Sequence, residues 1–238
     1  MVIDAKGMHF KTLNEKVREC KETKIKIKNC IGQRYIASGL DGKTIEIDGI
    51  PGNALGSYLN GCTLKVNSNA QDATGDTMNS GIIAVAGSGG DATGYAMRGG
   101  KIFIKGNVGY RAGIHMKQYK EKKPIIVIGG KAGCFLGEYQ AGGLIIVLGI
   151  GCEKPVGNFC ATGMHGGKIV IRGDFVPENL PANICVSDAT DSDMDEIAPE
   201  IREFCSLFGY DDKKLLSGGF KILTPDTKNP YKRLYTPN

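Results

Sequence analysis

A short strand framed by glycines recurs along most of this chain, and a strand repeated at a steady period restricts the fold more than any other feature. Gly99-Gly100-Lys101-Ile102-Phe103-Ile104-Lys105-Gly106 has near-copies in Gly166-Gly167-Lys168-Ile169-Val170-Ile171-Arg172-Gly173 and Gly142-Gly143-Leu144-Ile145-Ile146-Val147-Leu148-Gly149. Aligned strands fall at Lys24–Lys28, Thr44–Asp48, Thr63–Asn67, Ile82–Ala86, Lys101–Lys105, Pro124–Ile128, Leu144–Leu148 and Lys168–Arg172. Successive steps are 20, 19, 19, 19, 23, 20 and 24 residues. The connecting segments repeat as well: Asp91-Ala92-Thr93-Gly94-Tyr95-Ala96-Met97 matches Asp72–Met78 and Asn53–Leu59. Gly56, Gly75, Gly94, Gly113 and Gly137 form one column, with Ala37 and Ala161 at its ends. Leu40, Leu59, Met78, Met97, Met116 and Met164 form another.

A unit of this size is too long for a hairpin repeat and too short for a helix pair, which needs about 33 residues or more. It suits one coil of a parallel β-helix, with glycines at corners where φ is positive or backbones crowd. A left-handed hexapeptide helix would show units of six, which are absent, and parallel crossovers favour the right hand. The expected fold is therefore an all-β solenoid, a right-handed parallel β-helix of about eight coils and roughly 35–40 Å in length. It would carry helical or extended caps at both ends. Residues 1–23 read as a helical lead-in with Thr12 and Glu15 as a capping box, 24–176 as the repeat, and 177–238 as a helix and extended tail. In the last part Met194, Ile197, Ile201, Phe204 and Phe208 fall at helical spacing, and Gly209 offers a stop.

Alternation in Lys24-Ile25-Lys26-Ile27-Lys28 separates inside from outside. Carried forward, it places Ile45/Ile47, Leu64/Val66, Ile83/Val85, Ile102/Ile104, Ile125/Val127, Ile145/Val147 and Ile169/Ile171 inward. The outward set is polar early, with Lys101 and Lys105 solvated, but becomes Ile126, Ile128, Leu144, Ile146 and Leu148, flanked by Phe103 and Val170. So large an apolar patch needs a cover. Two covers are considered, the helix at Met194–Phe208 and a partner protein.

Little in the chain suggests chemistry of its own. The eight cysteines contain no C-x-x-C pair, so reduced thiols in a cytoplasmic protein are expected. His9, His115 and His165 have no neighbouring ligands in the sequence. Gly87-Ser88-Gly89-Gly90 lacks the strand–loop–helix setting of a phosphate cradle. Asn53, Asp72, Asp91 and Asn158 resemble a calcium ladder, but Tyr110 and Cys134 interrupt it, and corner hydrogen bonding accounts for it better. A formal charge of +5 from scattered Lys and Arg, without tryptophan, does not describe a nucleic-acid surface. No apolar run is long enough for a bilayer, and no signal-peptide h-region is seen. The expectation is a scaffold with no catalytic, cofactor-binding or metal-binding residues.

The corners and the Gly-Gly-Lys-Ile-x-Ile-x-Gly strands resemble the GXGXG domain. That is the right-handed β-helix at the C-terminal end of the glutamate synthase large subunit, found in related form as a structural component of formylmethanofuran dehydrogenase. Ile31-Gly32-Gln33-Arg34-Tyr35 and Gly163-Met164-His165-Gly166-Gly167 are similar to the first and last coils in glutamate synthase. Ile3–His9 and Asn229–Tyr235 resemble its stand-alone version. The resemblance implies a non-catalytic subunit of an enzyme that makes glutamate from glutamine and 2-oxoglutarate. Its partners would be the amidotransferase and central FMN subunits, which would carry the flavin and iron–sulfur groups, and a homo-oligomer is compatible. A structural subunit of a molybdenum or tungsten formylmethanofuran dehydrogenase is the alternative. An independent polysaccharide-acting β-helix enzyme is remoter, because it needs clustered carboxylates or basic residues on one outer face.

Overall fold

The computed structural model describes residues 1–226. Its core is one eleven-stranded sheet: β1 (Val2–Asp4), β2 (Lys24–Ile31), β3 (Thr44–Ile50), β4 (Asn60–Val66), β5 (Ser80–Val85), β6 (Lys101–Ile104), β7 (Ile125–Ile128), β8 (Ala141–Val147), β9 (Gly166–Arg172), β10 (Ile184–Asp188) and β11 (Phe220–Pro225). Strands β1 to β9 lie side by side in chain order, all parallel. The order then runs β9-β11-β10 through antiparallel pairs. The all-β class expected from the repeat is thus present, as a mixed sheet with few helices.

The connecting segments are ordered by the same rule as the strands. Ala54 N–H donates to the Asp72 carbonyl at 2.9 Å, Ala73 to Asp91 at 2.8 Å and Ala92 to Tyr110 at 2.8 Å, so each turn bonds to the next. Three positions per turn take positive φ, as in Ala92 (54°), Gly94 (72°) and Ala96 (49°). The glycine column in the sequence marks only the middle one. At the outer two, stacked hydrogen bonds hold non-glycine residues in a left-handed conformation that costs roughly 1–2 kcal/mol each.

At the N-terminal end the lead-in is shorter than expected. Strand β1 pairs with β2, and helix α1 covers Phe10–Glu19 with His9 as its N-cap, not Thr12. The His9 ring accepts from Lys11 N–H, and Leu13 and Val17 are the buried face. At the other end helix α2 (Asp191–Phe208) has Thr190 as N-cap in a capping box with Asp193, and stops at Gly209 in the left-handed region. A short helix, α3 (Asp212–Leu216), follows, and β11 then returns between β9 and β10. The sequence motif Asn229–Tyr235 lies outside the described residues.

One register expectation is corrected. Ile102 pairs with Ile126, Ile104 with Ile128 and Ile126 with Ile145. Ile126 and Ile128 therefore belong to the interior stack with Ile25, Ile45, Leu64, Ile83, Ile102, Ile145 and Ile169. Ile125 and Val127 face outward instead. The fifth step is thus 24 residues and the sixth 19. In Ile125-Ile126-Val127-Ile128 every position is apolar, so alternation carries no phase there.

Candidate interaction surface

The outer apolar patch consists of Phe103, Ile125, Val127, Leu144, Ile146, Leu148 and Val170, and α2 lies over it through Ile197, Ile201, Phe204 and Cys205. Leu144, Ile146 and Leu148 are where the sequence placed them, whereas Ile126 and Ile128 are not in the patch. Of the two covers considered, the helix occupies this face.

Electrostatics fix how α2 sits. Its acidic residues at helical spacing, Asp193, Glu196, Glu200 and Glu203, meet a column of lysines at the strand edges. Lys168 bonds to Asp193 and Glu196 at 2.7 Å, Lys101 to Glu200 and Glu203 at 2.8 Å, and Lys123 to Glu196. Lys101 is therefore not a solvated residue, contrary to the reading of its strand. Burial works against its charge, but the two carboxylates outweigh burial and raise its pKa. Burial, reinforced by the like charge of Lys168, pushes the Lys123 ammonium below its ordinary value. The Lys168 ammonium and the Thr190 groups pull the Asp193 carboxyl down to about 2.

With that patch covered, the exposed aromatic side chains lie on the connecting segments, whereas Val2, Ile31, Ile50 and Val186 are aliphatic residues left exposed on strands. Arg111, Phe135 and Phe159 occupy the first positive-φ position of successive turns, and His115 and Tyr139 the last. Earlier turns hold Tyr35, Ala54, Ala73 and Ala92 at the first position, and Gly39, Tyr58, Thr77 and Ala96 at the last. Side chains in equivalent positions stack. Phe135 and Phe159 lie 4.9 Å apart at 19°, and His115 and Tyr139 lie 5.2 Å apart at 9°. Tyr95 meets the His115 ring edge-on at 5.9 Å. The Arg111 guanidinium sits 4.7 Å over Phe135 and bonds to the buried Glu138 carboxylate at 3.0 Å.

Such pairs contribute about 0.5–1.5 kcal/mol each, which offsets the strain of bulky residues at positive φ. The rings remain open to solvent: Tyr95, Tyr139 and Phe159 are 40%, 43% and 50% exposed. Flat, half-exposed aromatic faces around a fixed guanidinium suit docking of another protein. Sequence reasoning missed this surface. Its signal in the sequence is the run of large side chains at Arg111, Phe135 and Phe159, and at His115 and Tyr139, in two columns where the two preceding turns carry alanine or threonine.

The corner ladder is occupied by the backbone. Asp72 Oδ1 accepts from Asp91 N–H at 2.9 Å, and Asp91 Oδ1 from Tyr110 N–H at 2.7 Å. A Cβ at Gly109 would stand 2.0 Å from Asp91 Oδ1, so that glycine makes room for the carboxylate. Among the described residues, no group of three or more His, Cys, Asp or Glu is placed to hold a metal ion. Nor is any helix among them long and apolar enough to cross a membrane.

Comparison with known proteins gives three results. The GXGXG motif family is matched over residues 8–225. The uncharacterized protein MJ1350 of Methanocaldococcus jannaschii is 47% identical over 253 aligned positions, covering 100% of this chain and 97% of the relative. A chain in the crystal structure of the formyltransferase/hydrolase complex FhcABCD from Methylorubrum extorquens, in complex with methylofuran, superposes with a TM-score of 0.67 at 22% identity. That superposition covers 87% of this chain and 75% of the other. At that identity the likeness is one of fold.

Proposed function

The chain belongs to the GXGXG motif family, and from that premise we propose that it is a non-catalytic assembly subunit of a multi-subunit enzyme of the formylmethanofuran dehydrogenase type. In this reading the stacked repeat is a right-handed β-helix that acts as a rigid strut. The Arg111–Phe135–Phe159 and Tyr95–His115–Tyr139 face is where a catalytic subunit docks. The observation that carries it is this exposed, stacked aromatic surface on a chain whose other large apolar face is already covered by its own helix. The fold shared with a chain of a formyltransferase/hydrolase complex supports the enzyme class.

A second reading, a subunit of a split glutamate synthase, is favoured by Gly163-Met164-His165-Gly166-Gly167 and by the entry at Ile31-Gly32-Gln33. Purification of the tagged chain from its native cells separates the two. Co-purifying subunits with a molybdenum or tungsten centre support the first, and amidotransferase and flavoprotein subunits support the second. Phe135→Glu with Tyr139→Glu should abolish co-purification while leaving thermal stability within a few degrees. A chain that is isolated without partners, or a double variant that keeps them, overturns the docking role.

A further inference from the structure

The insertion between β6 and β7 builds a second feature that the assembly reading does not use. Asn79, Arg98 and Lys117 follow the buried Met78, Met97 and Met116, at the same place in three consecutive repeats. Their backbones are stacked in register. Asn79 N–H donates to the Leu59 carbonyl at 2.8 Å, Arg98 to Met78 at 2.8 Å and Lys117 to Met97 at 3.0 Å. The side chains are thereby held in a column at strand spacing, about 4.8 Å per step. The insertion then folds back, with Tyr119 and Lys122 exchanging backbone hydrogen bonds at 3.1 and 3.0 Å. Lys120 takes positive φ within this turn. The result is a cavity of about 400 Å³ lined by Asn79, Arg98, Lys117, Tyr119 and Lys122.

The charge in this cavity is unbalanced. Lys26, Lys101, Lys123, Lys168 and Lys221 are each paired with carboxylates. Arg98, Lys117 and Lys122 have no carboxylate partner among the described residues. None of the residues lining the cavity is acidic. Two unit charges 4 Å apart repel by about 1 kcal/mol even in bulk water, and by more beside a protein surface. Three cations gathered in a concave site are therefore complementary to an external anion. Arginine supplies a planar fork for paired oxygens, lysine supplies point charges, and the Asn79 amide and Tyr119 hydroxyl add uncharged hydrogen bonds.

We propose that this cavity binds a small, multiply charged oxyanion ligand bearing phosphate or carboxylate groups. The site does not depend on the docking role of the aromatic face. Titration calorimetry on the full chain, with pyrophosphate and citrate as probes at low and at physiological salt, tests it. Saturable one-site binding of at least one probe is expected. Binding of pyrophosphate alone identifies a phosphate ligand, and binding of citrate alone a carboxylate ligand. Arg98→Gln and Lys122→Gln should each weaken binding by about ten-fold. Both positions are exposed, so unchanged thermal unfolding certifies the fold, and Lys117→Gln gives a third variant. Lys65→Gln, exposed on β4, is the control and should leave affinity unchanged. The proposal is overturned if neither probe binds saturably, or if Lys65→Gln costs as much affinity as Arg98→Gln.

Discussion

Gly113 lies directly beneath Ile145: a Cβ built on Gly113 would stand 2.4 Å from the Ile145 Cδ1 atom. The same relation recurs between Gly75 and Ile102 at 2.3 Å and between Gly94 and Ile126 at 2.4 Å. Each middle glycine thus receives the tip of an interior isoleucine from the following repeat. It also carries a φ of about +70°, as at Gly113. Steric room and backbone handedness are demanded at one atom, and glycine alone meets both.

Gly113→Ala should therefore cost about 2–4 kcal/mol, combining left-handed strain with overpacking. Chemical denaturation of the variant checks the magnitude. Pairing it with Ile145→Val, which removes the clashing methyl, should return part of the loss but not the backbone share. Additive effects in the double variant would show that the two side chains do not share the space.

Lys101 and Glu200 hold α2 against the sheet at 2.8 Å, and Glu200 is 8% exposed. Lys101→Met leaves that carboxylate nearly buried without its partner, which should destabilise by about 1–3 kcal/mol, given that Lys101 itself is partly solvated. Adding Glu200→Gln removes the orphaned charge and should recover at least half of the loss. Thermal unfolding of the native chain and of the two variants provides the measurement. A double variant no better than Lys101→Met would mean that the charge itself is not the cause.

These two relations differ in how far they could be read from the sequence. The glycine column and the alternating strands repeat locally, so eight copies reinforce one another and the parallel order follows. The partners of Lys101 lie about a hundred residues away on a non-repeating helix, and nothing local announces them. Val2-Ile3-Asp4 is too short to show a period, yet it extends the sheet through backbone bonds that any sequence could make. The aromatic surface was hidden for another reason. Apart from Tyr95, its residues sit at positive φ without being glycine, and that conformation is imposed by the neighbouring repeats rather than by the residue itself.

Asp193 supplies a pH test with a defined sign. Its carboxyl is held at about 2 by the Lys168 ammonium and by the Thr190 hydroxyl and N–H. A folded-state pKa below the unfolded one, about 3.9, gives stability that is fully present above the unfolded value and lost as pH falls through the folded value. After screening by solvent, on the order of 1 kcal/mol remains. Asp193→Asn should be less stable than the native chain at pH 6, and the gap should close between about pH 4 and pH 2. Urea titrations across that range measure the gap, and a difference that stays constant with pH would exclude the ionic origin.

The thiols make a last, compartment-independent prediction. All eight cysteines are free, and Cys185 is exposed on β10, whereas Cys30 and Cys160 are buried in the interior stack. Burial pushes the Cys30 thiol up to about 11 and the Cys160 thiol up to about 12. Because the thiolate is the nucleophile, both should be inert at pH 8 for two reasons at once, lack of access and lack of ionisation. Iodoacetamide added to the folded protein should label Cys185 first, with Cys30 and Cys160 labelled only as fast as the core opens. Peptide mapping by mass spectrometry across a urea series should therefore show Cys160 labelling rising in step with global unfolding. Labelling of Cys160 well below the unfolding midpoint would mean that the last repeats open separately from the rest of the sheet.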